Sequence, residues 1–109
     1  MSYSVIPTPF FRKQAKRLSK KYRSLKQELE ELAYSLTDNP VQGKYLGNNI
    51  YKIRLAVKSK GKGKSGGMRI ITYLLTEDME LYLLTIYDKS DLDSIDDKTL
   101  QQLIEDINV

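Results

Sequence analysis

The stretch Tyr51-Lys52-Ile53-Arg54-Leu55-Ala56-Val57, then Lys58-Ser59-Lys60-Gly61-Lys62-Gly63-Lys64-Ser65-Gly66-Gly67, then Met68-Arg69-Ile70-Ile71-Thr72-Tyr73-Leu74-Leu75 decides how this chain folds. Tyr51, Ile53, Leu55 and Val57 alternate with Lys52, Arg54 and Lys58. That period of two marks a strand with one apolar and one cationic face. Residues 58–67 carry no apolar side chain and read as a loop. Met68 to Leu75 is a second apolar strand. Thr76-Glu77-Asp78-Met79 makes a tight hairpin link to a third strand, Glu80 to Tyr87, which is apolar on both faces and therefore central.

On the amino-terminal side the period changes to that of a helix. Ser2 to Ile6 is a short strand candidate, and Thr8-Pro9 reads as an N-cap followed by proline at the first helical position. Phe11, Ala15, Leu18 and Tyr22 form one apolar face, while Arg12, Lys13, Lys16, Arg17, Lys20 and Lys21 cover the other. A second helix starts at Ser24, with Gln27 as its capping-box partner, and repeats the spacing through Leu25, Leu29, Leu32 and Leu36. Asp38-Asn39-Pro40 stops it. The short link makes the pair an antiparallel hairpin, and residues through Gly43 and Gly47 read as loop. At the other end Leu100, Leu103, Ile104 and Ile107 mark a C-terminal helix capped by Asp96. The expected fold is α+β: an N-terminal strand and helical hairpin packed on one face of an antiparallel sheet of about four strands, plus a C-terminal helix. Residues 1–109 read as a single domain.

Composition narrows the function. A hydrophobic fraction of 40% supports a core despite 29% charged residues. With neither cysteine nor histidine, disulfides and thiolate metal sites are ruled out and zinc chemistry is disfavoured, so no metal and no cofactor are expected. The amino terminus shows no signal-peptide core and no apolar run long enough for a membrane span, so a cytoplasmic protein is expected.

The net charge of +4 conceals a strong polarity. Residues 1–69 hold 16 Lys/Arg against 4 Asp/Glu, a balance of +12; residues 70–109 hold 2 against 10, a balance of −8. Such asymmetry fits a polyanionic partner for the basic part. From Lys52 to Arg69 there are cations at Lys52, Arg54, Lys58, Lys60, Lys62, Lys64 and Arg69 and no acid at all. Lysines spaced by glycine suit a flexible strand of phosphates, making Lys52, Lys58, Lys60, Lys62 and Lys64 candidate RNA-binding residues. The Gly63-Lys64-Ser65 triplet is not a P-loop: that pattern needs a glycine at position 58, which is Lys58, and a helix where a strand follows. A solvated hairpin loop is the plainer alternative. Of the 8 tyrosines, Tyr51, Tyr73 and Tyr82 lie on strands as packing residues. Tyr87 ends its strand beside Asp88 and Lys89, where it can stack on a base or share a proton.

Tyr51-Lys52-Ile53-Arg54, the Gly61-Lys62-Gly63-Lys64-Ser65-Gly66-Gly67 block, Arg69-Ile70-Ile71-Thr72-Tyr73 and Leu83-Leu84-Thr85-Ile86-Tyr87-Asp88-Lys89-Ser90, in that order and spacing, closely resemble the RelE/HigB toxins of bacterial type II toxin–antitoxin systems. The resemblance extends over most of the chain, including the helical pair and its Phe11-x-Lys13 start. It implies a microbial-RNase-like fold and a toxin acting as a ribosome-dependent endoribonuclease, or mRNA interferase. It further implies entry into the ribosomal A site, contact with mRNA and a cognate antitoxin. Chemistry of this kind is attack by an RNA 2′-OH on the adjacent phosphate, which needs a base, an acid and positive charge at the phosphate. On that basis Arg54 and Arg69 supply phosphate charge, Lys52 or Lys64 bind substrate, and Tyr87 and Lys89 are the candidates for proton transfer. Nearby cations are expected to lower lysine and tyrosine pKa values. Some HigB-like members use a C-terminal histidine, which this chain lacks. Two alternatives stay open: a toxin that blocks its target without cutting, as ParE-like gyrase inhibitors do, and an inactive RNA-binding member of the fold.

Overall fold

A computed structural model describes residues 2–61, 63–92 and 94–107. In chain order the elements are β1 (Ser4–Pro7), α1 (Pro9–Lys21), α2 (Leu25–Asp38), β2 (Lys44–Gly47), β3 (Ile50–Leu55), β4 (Met68–Leu75), β5 (Glu80–Asp88) and α3 (Asp97–Ile107). The five strands form one sheet in the order β1-β5-β4-β3-β2. The three strand signals between Tyr51 and Tyr87 correspond to β3, β4 and β5, and consecutive members pair antiparallel.

Two features differ from the expected architecture. The sheet has five strands and is mixed, because β1 pairs with β5 in parallel, Ser4 opposite Glu80 through Pro7 opposite Leu83. The stretch through Gly43 and Gly47 also contains a strand. It pairs antiparallel with β3 through Asn48 and Asn49, whose φ values of 51° and 66° suit the tight turn that joins two twisted strands. The helices, moreover, occupy both faces of the sheet. Helices α1 and α2 bury Phe11, Leu18, Leu25 and Leu36 against Ile53, Met68, Ile70, Leu81 and Ile86 on one face. Helix α3 packs Leu100 and Ile104 against Ile50, Ile71, Leu84 and Tyr87 on the other. The second face is thus open only where α3 does not reach, towards β3 and β2.

Local chemistry fixes the start of each helix. The Thr8 hydroxyl accepts from the Phe11 N–H at 3.2 Å and donates to the Leu83 carbonyl at 2.9 Å, so the N-cap of α1 also seats the helix on β5. Asp96 caps α3 by accepting from the Thr99 N–H at 2.7 Å. The expected capping box between Ser24 and Gln27 does not form. The Ser24 hydroxyl instead donates to Glu28 and meets the Ser59 hydroxyl at 2.9 Å, across 35 residues of sequence. No helix among the described residues is long and apolar enough to cross a membrane.

Gly67 shows how closely the loop between β3 and β4 is fitted. A Cβ at this position would collide with the Leu55 carbonyl oxygen and lie 3.1 Å from that of Gly63. Both neighbours are backbone and cannot rotate away. Gly67→Ala is therefore expected to destabilise the protein by about 1–3 kcal/mol, the usual cost of an overpacked site, measured as a lower urea midpoint with an unchanged slope.

Candidate active site on the open face of the sheet

The pairing of β3, β4 and β5 sets Arg54 opposite Arg69 and Arg69 opposite Tyr87. Residues directly opposite in a sheet project to the same side, so the three side chains form a single row across three strands. Lys52 stands one step along β3 on the same face, opposite Ile71, and Lys44 of β2 is its partner on the other side. The next row, Leu55, Met68 and Asp88, projects to the helical face. Strand periodicity alone therefore separates cations for solvent from side chains for the core.

A cleft of about 410 Å³ opens beside this row, lined by Gln42, Gly43, Lys44, Lys52, Ile53, Arg54 and Lys64. Gly43, at φ 87°, lets the chain cross tightly over β3, because a Cβ there would strike the Lys52 carbonyl oxygen. Arg54 is exposed and Lys52 half-buried. Arg69 is buried, and its guanidinium donates to the carbonyls of Lys64 at 2.8 Å, Ser65 at 3.0 Å and Met68 at 3.2 Å. It therefore holds the glycine–lysine loop while adding positive charge to the site. Tyr87 is 7% exposed, and its hydroxyl has no hydrogen-bond partner among the described residues.

The family model for the RelE toxin of RelE/RelB toxin–antitoxin systems matches residues 7–106. The chain belongs to the RelE toxin family. Solved structures agree on the fold. Escherichia coli RelE carrying two arginine-to-alanine replacements, in the free state, superposes with a TM-score of 0.58 at 15% identity, over 98% of this chain and 99% of that one. The isolated E. coli RelE toxin gives 0.60 at 15% identity, over 96% and 98% of the two chains. The intact E. coli RelBE toxin–antitoxin complex gives 0.60 at 16% identity, over 79% and 95%.

Titration behaviour divides the site of this RelE-family toxin into two kinds of group. Burial, and then the charges of Lys44, Arg54, Arg69 and Lys89, hold the Lys52 pKa below the ordinary lysine value. Tyr87 moves the opposite way to the expectation for a tyrosine among cations. Burial raises its pKa and outweighs the lowering influence of Arg69. At neutral pH Tyr87 is thus a proton donor and not a base.

The other residues singled out in the sequence divide between two faces. Lys64 lines the cleft with Lys52 and Arg54. Lys89 is half-buried just past β5; its N–H donates to the Gly67 carbonyl at 3.1 Å, and its charge acts on Lys52. Lys58 is exposed where the loop leaves β3, with its N–H donating to Glu28 at 2.9 Å. Lys60 is turned to the helical face, where it forms a buried ion pair with Asp88. Lys62 lies outside the described residues. Sequence reasoning missed Lys44, Gly43 and Gln42, because β2 is too short to show alternation. The adjacent Gly43-Lys44 pair was the available signal.

Proposed function

We propose that this toxin cleaves ribosome-bound mRNA by attack of a 2′-OH on the neighbouring phosphate. The observation that carries the reading is the placement of Lys52. A lysine with a lowered pKa stands one step from a row of two arginines, inside a cleft that two further lysines line. Lys52, neutral in a fraction of molecules, accepts the 2′-OH proton. The 2′ oxygen bonds to phosphorus and the P–O5′ bond breaks, leaving a 2′,3′-cyclic phosphate, while the departing O5′ takes up a proton. Arg54 and Arg69 face the charge that develops on the phosphate oxygens. Tyr87, held protonated by burial, suits the donor side of the reaction once its cover shifts away.

The partners follow from the same charges. The structural relative in complex is a RelE toxin with its RelB antitoxin. For this chain the reading is a cognate antitoxin with acidic residues over the cleft, in the cytoplasm, where mRNA and ribosomes are met. A second reading, a toxin that binds without cutting, draws support from the buried and unpartnered Tyr87 hydroxyl.

Expression in growing cells, with mRNA 5′ ends mapped, separates the two. Growth arrest with codon-positioned cuts supports cleavage, whereas arrest with intact mRNA supports the binding-only toxin. Arg54 is exposed, so Arg54→Ala is expected to abolish arrest while leaving thermal stability within about 0.5 kcal/mol of the parent. Arg69→Ala is expected to lose both activity and stability, since three carbonyls lose their donor. Arrest by Arg54→Ala as strong as by the parent would remove the arginine row from the mechanism.

A further inference from the structure

The glycine–lysine loop is gripped from both faces of the sheet. Four consecutive carbonyls are held. Those of Lys64 and Ser65 accept from Arg69 on the cleft side, that of Gly66 accepts from the Lys60 ammonium at 2.6 Å on the helical side, and that of Gly67 accepts from the Lys89 N–H. The start of the loop is tied to the helical hairpin. The Ser59 N–H donates to the Ser24 hydroxyl at 2.9 Å, and Glu28 takes the N–H of Lys58.

Lys60 is the centre of the helical-side grip. Its side chain is 6% exposed and that of Asp88 2%. Besides Gly66 and the Asp88 carboxylate it reaches the Ser90 hydroxyl at 2.6 Å. Asp88 in turn accepts from the Tyr22 hydroxyl at 2.9 Å and from the Ser90 N–H and hydroxyl at 2.9 and 2.8 Å. One ion pair thereby joins the end of α1, the loop and the end of β5. Asp88 is the chain neighbour of Tyr87, and the two project to opposite faces of the sheet.

We infer that Lys60 and Asp88 are positioning residues, a buried mooring that holds the backbone of Lys64 to Gly67 so that Lys64 faces Lys52 and Arg54 across the cleft. Neither touches RNA. The inference rests on the cleft being the RNA site, and it removes Lys60 from the RNA-contacting set. A buried ion pair is a weak device for stability, because desolvation offsets most of its attraction, and an apolar pair of similar size often serves as well. Here both charges connect to groups that only a polar pair can hold: a loop carbonyl, a tyrosine hydroxyl and a backbone N–H.

That difference makes the inference testable. The double variant Lys60→Met, Asp88→Leu replaces the pair by apolar side chains and leaves net charge unchanged, so the long-range field on RNA is preserved. Its thermal stability is measured with amide hydrogen exchange over residues 58–67 and with single-turnover cleavage of mRNA on programmed ribosomes. We expect near-parental stability, faster exchange in the loop, and cleavage slower by about 10²-fold, the scale of a misplacement of 1 Å. Binding of a 2′-deoxy-blocked oligonucleotide should stay within about threefold, since the cleft cations and their counterion release are unchanged. Parental exchange and parental cleavage in a stable double variant would overturn the inference and leave the pair as simple packing. If the double variant does not fold, Asp88→Asn keeps the shape and carries the same measurements. If the parent itself cuts no RNA, the reading of the cleft fails, and loop exchange alone still decides the mooring: faster exchange supports it and unchanged exchange sinks it.

Discussion

Lys52→Arg is expected to abolish cleavage as completely as Lys52→Met, by about 10²–10⁴-fold in a single turnover, the usual contribution of a positioned base. The two substitutions divide the roles that a lysine can have here. Arginine keeps the positive charge but stays protonated at any relevant pH, so it cannot accept the 2′-OH proton. If Lys52 acts only as a counter-charge, the Lys52→Arg variant retains most of the rate and the base assignment fails. The pH dependence gives an independent check. Lys52 is lowered by burial and then by Lys44, Arg54, Arg69 and Lys89. The neutral base therefore grows as pH rises, and the rate should climb with unit logarithmic slope until pH reaches the lowered pKa, then level off. Removing the neighbouring charge with Lys44→Met shifts that break to higher pH. A pH-independent rate between about 6 and 9, where an unperturbed lysine near 10.4 would still be titrating in, would assign the proton transfer elsewhere.

The sequence signalled most of the scaffold because its periods are long enough to read. Phe11, Leu18, Leu25 and Leu36 lie in the core as their spacing requires, and β3, β4 and β5 follow from alternation and from the break at the glycine–lysine block. The strand β2 has only four residues, most of them exposed, so it shows no burial pattern. Its existence depends on the left-handed turn at Asn48 and Asn49, which has no hydrophobic signature. Amphipathic spacing in α3 shows that one side is buried but not which face of the sheet receives it. The same reason explains Lys60. In a run of lysines each looks alike, and the partner that distinguishes this one, Asp88, lies 28 residues away in an acidic segment read as solvent-facing. The row of Arg54, Arg69 and Tyr87 was partly legible, since strand phase fixes the face of each side chain. Registration across three strands was not, because it depends on the loop geometry that Gly67 permits and on the irregularity between Ile71 and Thr72.

Asp88→Ala should be the most destabilising substitution in the molecule, at about 3–5 kcal/mol, the cost of leaving one member of a buried pair without its partner. Lys60 would remain buried with no carboxylate, and the Tyr22 hydroxyl and Ser90 N–H would lose their acceptor. Equilibrium urea unfolding measures the loss, and a change below about 1 kcal/mol would mean that water reaches the pair freely. Acid provides a second view of the same interaction. Burial works to raise the Asp88 pKa, but the Lys60 ammonium, the Ser90 N–H and hydroxyl and the Tyr22 hydroxyl outweigh it and hold the carboxyl well below the usual carboxylate range. A folded pKa below the unfolded one stabilises the native state above the unfolded value, about 3.9, and that stabilisation is lost as pH falls through the folded value. The parent should accordingly lose stability as pH falls below about 4, while Asp88→Asn should be less stable at neutral pH and show a flatter acid limb. Parallel acid limbs in the two proteins would place the acid sensitivity in other carboxylates. Because the Lys60–Asp88 pair ties the loop to β5, the loss of fold in the parent should begin in residues 58–67, with amide exchange there accelerating at a higher pH than in β4.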